Sequence, residues 1–287
     1  MIETTLPGHF PPSFTATGRI NLSQLMRENK GYRPQPLPPT RVEDARPLQE
    51  GRNEAEFLDE YGFVLLDAPH AVGDWGNEMD VAASYLPQVE DMIRTRLYPG
   101  RKLIVRQPPR VMRRGAGTDT PQYGAGIHCD HDRTADDYQH NVAAFAGDEL
   151  AAKWRDWFER DEADTFVVLD FWRPTMDEPL RHMPLAVCDP NSIDPDDMIS
   201  TALEGIAPNG AATYHIGLKH NPGQRWYYYP EMTADEVLVF KLFELRKSEE
   251  PQRFRAVLHC AIEDPSTPPE AQPRQSCEHR VSVMLLK

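Results

Sequence analysis

Seven short runs rich in β-branched and aromatic residues fill the second half of the sequence, and they constrain the fold more than any other feature. Clusters of Gly, Pro, Asn and Asp separate the runs, and closely spaced short strands divided by turn residues are typical of a sandwich or barrel. The runs are TFVVLDFWR (165–173), MPLAVCD (183–189), AATYHIGLKH (211–220), RWYYY (225–229), EVLVFKLF (236–243), FRAVLHCAI (254–262) and HRVSVMLL (279–286). We therefore predict a mostly β fold whose core is a double-stranded β-helix, the jelly-roll or cupin-like architecture.

The first half of the sequence supplies two further strands and two helical stretches. YGFVLLD at 61–67 and KLIVRQ at 102–107 have the apolar, β-branched composition of strands. Residues 76–97 carry an apolar face and predict a helix that is broken or restarted near Pro87, because proline removes a helical hydrogen bond. Residues 135–160 predict a second amphipathic helical stretch. Helices gathered in this half are expected to brace one face of the β core.

Proline enrichment sets the beginning of the chain apart. The stretch PQPLPPT at 35–41 is not expected to form regular helix or central strand. We interpret residues 1–50 as an extended proline-rich arm that lies over the domain. Residues 51–287 are then one jelly-roll domain with helical insertions.

The charge balance limits the classes of partner. The 287 residues include 31 basic and 45 acidic side chains, a net charge of −14, which argues against nucleic acids and anionic membranes. No apolar run approaches 18 residues and no signal peptide is apparent at the N-terminus. The four cysteines lie far apart without a CxxC motif. These features favour a reduced, cytoplasmic protein without a thiolate zinc site.

The hexapeptide IHCDHD carries two potential metal ligands two residues apart. Alternate side chains of a strand point to the same face, so His128 and Asp130 project together. A later predicted strand offers His259 as a third ligand near its end. Two imidazoles and one carboxylate form the facial triad of non-haem Fe(II) oxygenases, which leaves positions for a chelating 2-oxo acid and dioxygen. We therefore predict that His128, Asp130 and His259 bind Fe(II).

Beyond the distal histidine, PRQSCEHRVS places arginines and serines at alternate positions. An Arg-x-Ser pair on one strand face combines a guanidinium, which binds a carboxylate bidentately, with a hydroxyl that adds a hydrogen bond. The distal carboxylate of 2-oxoglutarate suits such a pair. A regular strand would carry Arg274, Ser276, Glu278, Arg280 and Ser282 on one face. Spacing leaves the choice between the two arginines open; we expect Arg274 to bind the oxoacid, and Arg280 to face substrate or to pair with Glu278.

Four residues near these motifs are interpreted as structural. His131 and Asp132 follow the first two ligands, and we expect a solvated loop pair. Trp172 and Arg173 are expected to form a buried tryptophan with the arginine stacked on it.

Several blocks of the sequence together resemble one enzyme family. The matching stretches cover most of residues 55–287 and are, in chain order, YGFVLLD, IHCDHD, LDFWRPTMDEPLRHMPLAVCD, HNPGQRWYYYPEMTADEVLVFK and AVLHCAIEDPSTPPEAQPRQSCEHRVSV. With these blocks the chain resembles the CmcJ/NvfI family of Fe(II)/2-oxoglutarate-dependent oxygenases, with its AsaB-type hydroxylase/desaturases. The resemblance implies that His128, Asp130 and His259 are the metal-binding and catalytic residues. It also implies that the oxoacid-binding segment runs from Arg274 through Arg280.

The resemblance further implies a function and its cofactors. A dioxygenase of this kind uses Fe(II), 2-oxoglutarate and dioxygen to attack an unactivated C–H bond of a small metabolite in secondary metabolism. Hydroxylation, desaturation and oxidative ring closure all remain open. A carboxylate ligand at Asp130 leaves no position for a halide, so halogenation is not expected. We expect a carboxylated or amino-acid-derived small-molecule substrate, no nucleic acid, no membrane, and consider a homodimer as the assembly.

Two other functions are weighed against this one. A methoxylation component or methyltransferase is an alternative, because members of the family are linked to methoxylation. The sequence has neither a Gly-rich loop after its first strand nor the strand–helix alternation of a methyltransferase. A metal-free jelly-roll binding protein is the second alternative, and the intact set of candidate ligands argues against it.

Overall fold

The computed structural model of the chain describes residues 1–28, 37–118, 120, 123 and 126–287. Its strands are β1 (Ile2–Thr4), β2 (Ile20–Asn21), β3 (Thr40–Asp44), β4 (Phe63–Asp67), β5 (Leu103–Arg106), β6 (Met112–Arg114), β7 (Ala163–Pro174), β8 (Leu185–Cys188), β9 (Met198–Leu203), β10 (Thr213–Leu218), β11 (Trp226–Tyr228), β12 (Glu236–Arg246), β13 (His259–Ala261) and β14 (Ser276–Leu286). Its α-helices are α1 (Leu22–Glu28), α2 (Arg46–Gln49), α3 (Glu54–Tyr61), α4 (Glu78–Met92), α5 (Ala135–Ala146) and α6 (Asp148–Glu159). Each of the seven runs predicted as strand overlaps one of these strands. The mostly β fold class is confirmed.

The larger sheet is built on three long strands, β7, β12 and β14, of 11 or 12 residues each. Its order is β4-β12-β7-β14-β5, and β6 also pairs with β14. The antiparallel register aligns Phe240, Asp170 and Arg280 across the three long strands. Residues directly opposite one another in a sheet share a face, so these three side chains point to the same side.

The second layer consists of two smaller sheets that a short segment joins. One has the order β1-β3-β11-β8-β13 and the other β10-β9-β2. Between them, His128 forms a bridge with His259 of β13, and Cys129 forms one with Ile216 of β10. The segment that carries the first two candidate ligands is therefore hydrogen-bonded on both sides. Phe240 of the larger sheet lies 4.8 Å from the His259 ring, centroid to centroid, so the face that holds Arg280 meets this layer.

Helix α4 braces the other face of the larger sheet. Tyr85 of α4 packs on His279 of β14 with ring centroids 6.2 Å apart. The predicted break at Pro87 is wrong: α4 continues through it, and a π-helical turn (Ile93–Leu97) follows. The buried face of α4, including Tyr85 and Val89, packs into the main core, which holds the helix together across the proline. No helix in the described part of the chain is long and apolar enough to cross a membrane.

The second predicted helical stretch is two helices. Gly147, with φ of 90°, separates α5 from α6. A backbone of positive φ is accessible to glycine at little cost, which explains the break at this position.

The proline-rich beginning of the chain contributes strands to both smaller sheets. β1 and β3 extend one, and β2 pairs with β9 in the other. The predicted irregular stretch 35–41 lies partly outside the described residues, and its end is part of β3. The division of the chain at residue 50 stays a prediction.

Candidate metal centre

The structure brings three of the predicted residues together. His128, Asp130 and His259 each offer one donor atom, and these atoms all lie within 4.8 Å of one another. The Oδ1 atom of Asp130 is 3.7 Å from Nε2 of His128, and the two imidazole centroids are 4.5 Å apart. Strand geometry produces this cluster, because Cys129 points the other way and its thiol donates to the carbonyl of Leu242 at 3.2 Å.

Main-chain carbonyls orient both imidazoles. Nδ1 of His128 lies 2.7 Å from the carbonyl oxygen of Gly126, and Nδ1 of His259 lies 3.2 Å from that of Val257. A carbonyl can only accept, so each Nδ1 carries the proton and each Nε2 keeps a lone pair. Burial, and next the neighbouring His128, lower the pKa of His259 to about 4. The His259 imidazole is therefore neutral near pH 7, as a metal ligand must be.

Asp130 is an ionised carboxylate in a buried position. Burial alone would raise its pKa, but the guanidinium of Arg280 outweighs that effect and holds the pKa well below its usual range. Its Oδ2 atom is buried and has no hydrogen-bond partner among the described residues. Two imidazoles and one carboxylate fit the donor set of a mononuclear non-haem iron site.

Arg274 and Ser276 are buried, and each has a polar atom without a hydrogen-bond partner among the described residues. Arg274 is 2% exposed, and its Nη1 atom donates to the carbonyl of Met183 at 2.6 Å. Within the described chain, its Nε atom and the Ser276 hydroxyl have no hydrogen-bond partner. Burial lowers the pKa of Arg274 to about 10, so the guanidinium stays charged at neutral pH. A buried cation beside a buried hydroxyl is a suitable site for a carboxylate.

Two aromatic rings and a strained residue hold Arg274 in place. Its guanidinium carbon lies 4.0 Å from the Tyr123 ring centroid and 5.6 Å from that of Trp172. Met183, which supplies the accepting carbonyl, has φ of 54°, an uncommon conformation for a residue with a side chain. Sequence reasoning missed Tyr123, which lies outside the motifs, and Met183, which was interpreted only as part of a strand run.

Arg280 has a different environment from Arg274. Its Nη2 atom lies 2.8 Å from Oε2 of Glu278 and 3.5 Å from Oδ2 of Asp130. Glu278 also pairs with Arg114 of β6. The predicted pairing of Arg280 with Glu278 is therefore present, and the contact with Asp130 is an addition to it.

The interpretation of His131 and Asp132 as a solvated loop pair is wrong. Asp132 is 1% exposed and accepts a hydrogen bond from Arg19 at 3.0 Å. The His131 ring packs against Tyr138 and Phe243, at centroid distances of 4.9 and 5.9 Å. Asp132 links the N-terminal part of the chain to this region, and it is not part of the group of three candidate ligands.

The predicted stacking of Arg173 on Trp172 is also wrong. Both residues are buried, but consecutive residues of β7 point to opposite faces. Arg173 lies over the rings of Tyr85 and Trp75, at 5.3 and 5.6 Å. Trp172 points into the interior, where its ring faces Arg274.

Several known proteins with similar sequences are named as dioxygenases or as hydroxylase/desaturases. The hydroxylase/desaturase AsaB of Aspergillus flavus is 30% identical over 130 residues, which cover 41% of this chain and 55% of that protein. The alpha-ketoglutarate-dependent dioxygenase PhiK of a fungal species is 26% identical over 249 residues, 79% of each chain. The first two curated relatives are matched over only 40% and 55% of their own lengths. These names confirm the predicted resemblance.

A solved structure shares the fold, and a family model covers the chain. The iron and alpha-ketoglutarate-dependent endoperoxidase NvfI superposes with a TM-score of 0.69 at 20% identity, over 99% of this chain and 98% of the other. This likeness confirms the jelly-roll architecture. The model of the family described as "Oxidoreductase/YMDC permease-like domain" matches residues 17–284, and the chain therefore belongs to that family.

Proposed function

We propose that the chain is an Fe(II)- and 2-oxoglutarate-dependent oxygenase that acts on an unactivated C–H bond of a small metabolite. One observation carries the proposal: a cluster of two imidazoles and a carboxylate is combined with a buried arginine and serine whose Nε and hydroxyl groups have no hydrogen-bond partner among the described residues. The first group suits Fe(II), and the second suits the distal carboxylate of an oxoacid. The dioxygenase and hydroxylase names of the relatives support the same activity.

In this proposal the three ligands have distinct tasks. His128 and His259 present their Nε2 lone pairs, because main-chain carbonyls bind the protons at Nδ1. Asp130 supplies the negative charge through Oδ1, the oxygen that faces His128. Bound Fe(II), with 2-oxoglutarate and dioxygen, supplies the oxidising power to cleave the C–H bond, and succinate and carbon dioxide are the co-products. A carboxylate in the third ligand position leaves no place for a halide, so the proposal does not include halogenation.

Arg274 and Ser276 bind the distal carboxylate of 2-oxoglutarate. The guanidinium is held by the Met183 carbonyl, and its Nε atom remains available for a second hydrogen bond. The Ser276 hydroxyl, two residues further along the chain at the start of β14, adds another donor. An anion that satisfies both groups removes the cost of about 1–3 kcal/mol for each buried polar group without a partner. This gain favours a dicarboxylate co-substrate over a simple metal-bound anion.

A cavity of about 460 Å³ provides a place for the substrate. Arg280 and Glu278 line the cavity, and Arg280 in turn contacts Asp130. Trp75 and Val111 contribute apolar wall, while Arg113 adds a further cation. The volume is typical of small-molecule sites. Lining groups of both signs suit a carboxylated or amino-acid-derived metabolite.

The two alternative functions find less support. A methyltransferase of the doubly wound type needs a parallel sheet, whereas the strand pairs of the larger sheet are antiparallel among the described residues. A metal-free binding protein has no need for two imidazoles and a carboxylate whose donor atoms all lie within 4.8 Å of one another.

The experiment that tests the proposal measures 2-oxoglutarate turnover. The protein is reconstituted anaerobically with Fe(II), mixed with 2-oxoglutarate and oxygenated buffer, and succinate is quantified with and without candidate metabolites. We expect succinate to form with the wild-type protein and to be absent with His259→Ala. Product masses then distinguish hydroxylation (+16 Da) from desaturation (−2 Da). Failure of the wild-type protein to bind Fe(II) or to release succinate would contradict the proposal.

A further inference from the structure

Asp130 has two oxygens in different surroundings. Oδ1 faces Nε2 of His128 at 3.7 Å, on the side of the proposed metal. Oδ2 faces the guanidinium of Arg280, with Nη2 at 3.5 Å. The carboxylate is 7% exposed, so water has little access to either oxygen. Arg280 is thus the cation in contact with the outer oxygen of a candidate metal ligand.

Arg280 is itself held in place by a second carboxylate. Its Nη2 atom also contacts Oε2 of Glu278 at 2.8 Å, and Glu278 pairs on its other side with Arg114. Strand β14 supplies Arg280 and Glu278, and its neighbour β6 supplies Arg114. The result is a row of alternating charges, Arg114, Glu278, Arg280 and Asp130, anchored on two paired strands. Such a row fixes the position of the guanidinium more firmly than a single exposed ion pair would.

We propose that Arg280 is a positioning residue for Asp130: it holds Oδ2, so that Oδ1 is presented to the metal together with the two imidazoles. This inference rests on the proposed function, because it takes Asp130 to be a metal ligand. It assigns Arg280 a task apart from oxoacid binding, which the proposed function gives to Arg274. Groups that orient a metal ligand typically change metal affinity or activity by 10- to 100-fold when they are replaced.

The sign of the effect on metal affinity separates positioning from simple charge. A cation near a metal site repels the metal, so removal of Arg280 would tighten metal binding if charge were its only contribution. If the arginine instead holds the carboxylate in a productive orientation, its removal would weaken metal binding. Without Arg280, the Asp130 side chain would have to be ordered each time a metal binds. The two explanations predict opposite changes.

The test uses Co(II) as the probe and calorimetry as the readout, on the full chain and without 2-oxoglutarate. Arg280→Met and Arg280→Gln both remove the charge, and either one suffices if the other fails to fold. We expect Co(II) to bind these variants about 10-fold or more weakly than the wild-type protein. Arg280→Lys keeps a cation on a long stem, and we expect it to recover part of the lost affinity. Ser282→Ala, on the same face of β14, is the matched control and should bind Co(II) like the wild-type protein.

Unchanged or tighter Co(II) binding by the folded Met or Gln variant would overturn the inference. A Lys variant as weak as the Met variant would also overturn it, since the cation–carboxylate contact would not be the cause. Failure of the proposed function is a different result: the wild-type protein would then bind Co(II) no better than His259→Ala. Circular dichroism and thermal unfolding of each variant exclude a general loss of structure.

Discussion

His128 and His259 are hydrogen-bonded to each other through their main chains: each backbone N–H donates to the carbonyl of the other residue, at 3.2 and 3.0 Å. Two candidate ligands that are 131 positions apart in the chain are thereby fixed side by side by the sheet itself. The imidazoles are therefore preorganised, and metal binding requires little rearrangement.

His259→Ala and His128→Ala should each abolish metal binding without unfolding the protein. Two remaining ligands hold a divalent ion poorly, and loss of a direct ligand should exceed the 10- to 100-fold effect of an orienting group. The fold should persist, because the large hydrophobic core lies mostly outside the site. Calorimetry with Co(II) and thermal unfolding measure the two effects. His220→Ala is the control, and wild-type affinity in either ligand variant would remove that histidine from the proposed triad.

Asp130→Gly should stop oxidative turnover and weaken metal binding. The glycine removes the carboxylate, and it also leaves Arg280 without one of its two anionic contacts. Added chloride then has a coordination position to enter, which a shift in the visible spectrum of the Co(II) protein would report.

Asp132→Asn is the comparison for Asp130→Gly. Asp132 pairs with Arg19 rather than with the candidate ligands. We expect the Asn variant to be less stable than the wild-type protein while its Co(II) affinity is retained. If turnover survived in Asp130→Gly and was lost in Asp132→Asn, the carboxylate ligand would have to be reassigned.

The candidate ligands could be predicted because their signals are local. The alternation of side chains along a strand places His128 and Asp130 on one face, and the chemistry of the residue types limits which metal they suit. The assignment of Arg274 and Ser276 to an oxoacid stays a prediction, and the strand alternation on which it was based begins only at Ser276. The strand runs in the second half were equally clear, since turn residues separate them.

The errors and omissions arose from contacts between distant parts of the chain. Asp132 was taken for a solvated residue because its partner, Arg19, lies 113 positions earlier. The contact of Arg280 with Asp130 depends on how two sheets face each other, which no local pattern encodes. By contrast, the opposite orientations of Trp172 and Arg173 do follow from strand alternation, so that error was avoidable.

The stability of the protein should fall between about pH 6.5 and pH 4, and His9 should account for part of the loss. Burial, and next the nearby His220, lower its pKa to about 4 in the folded protein, against an ordinary value of 6.5. The unfolded chain therefore binds more protons in this window, and the free energy of unfolding decreases as the pH falls. At 1.36 kcal/mol per pKa unit, His9 contributes about 3 kcal/mol to the decrease.

His9→Gln removes this titration while it keeps a polar side chain. Urea unfolding at pH 7 and pH 4.5 gives the loss of stability for each protein. We expect a smaller loss for the variant than for the wild-type protein, because other buried histidines such as His279, with a pKa lowered to about 4 by burial, still contribute to both. Equal losses would show that the pKa of His9 is the same in the folded and the unfolded protein.

Arg274→Met should raise the dissociation constant of 2-oxoglutarate about a hundredfold or more and leave Co(II) affinity unchanged. Truncation of one partner of a buried charged pair costs about 2–5 kcal/mol, and each 1.4 kcal/mol corresponds to a factor of ten. Ser276→Ala removes a single donor to a charged group, worth about 1.5–3 kcal/mol, and should raise the constant about tenfold or more. Calorimetry at saturating Co(II) measures both variants directly.

Thermal unfolding distinguishes lost binding from misfolding in the Arg274 variant. Its guanidinium is buried with an Nε atom that has no partner within the described residues, so methionine at this position should not destabilise the ligand-free protein. A ligand at 100 times its dissociation constant stabilises a protein by about 2.7 kcal/mol. 2-Oxoglutarate should therefore raise the melting temperature of the metal-loaded wild-type protein and leave that of Arg274→Met unchanged. If the oxoacid affinity fell in Arg280→Met and not in Arg274→Met, the assignments of the two arginines would be exchanged.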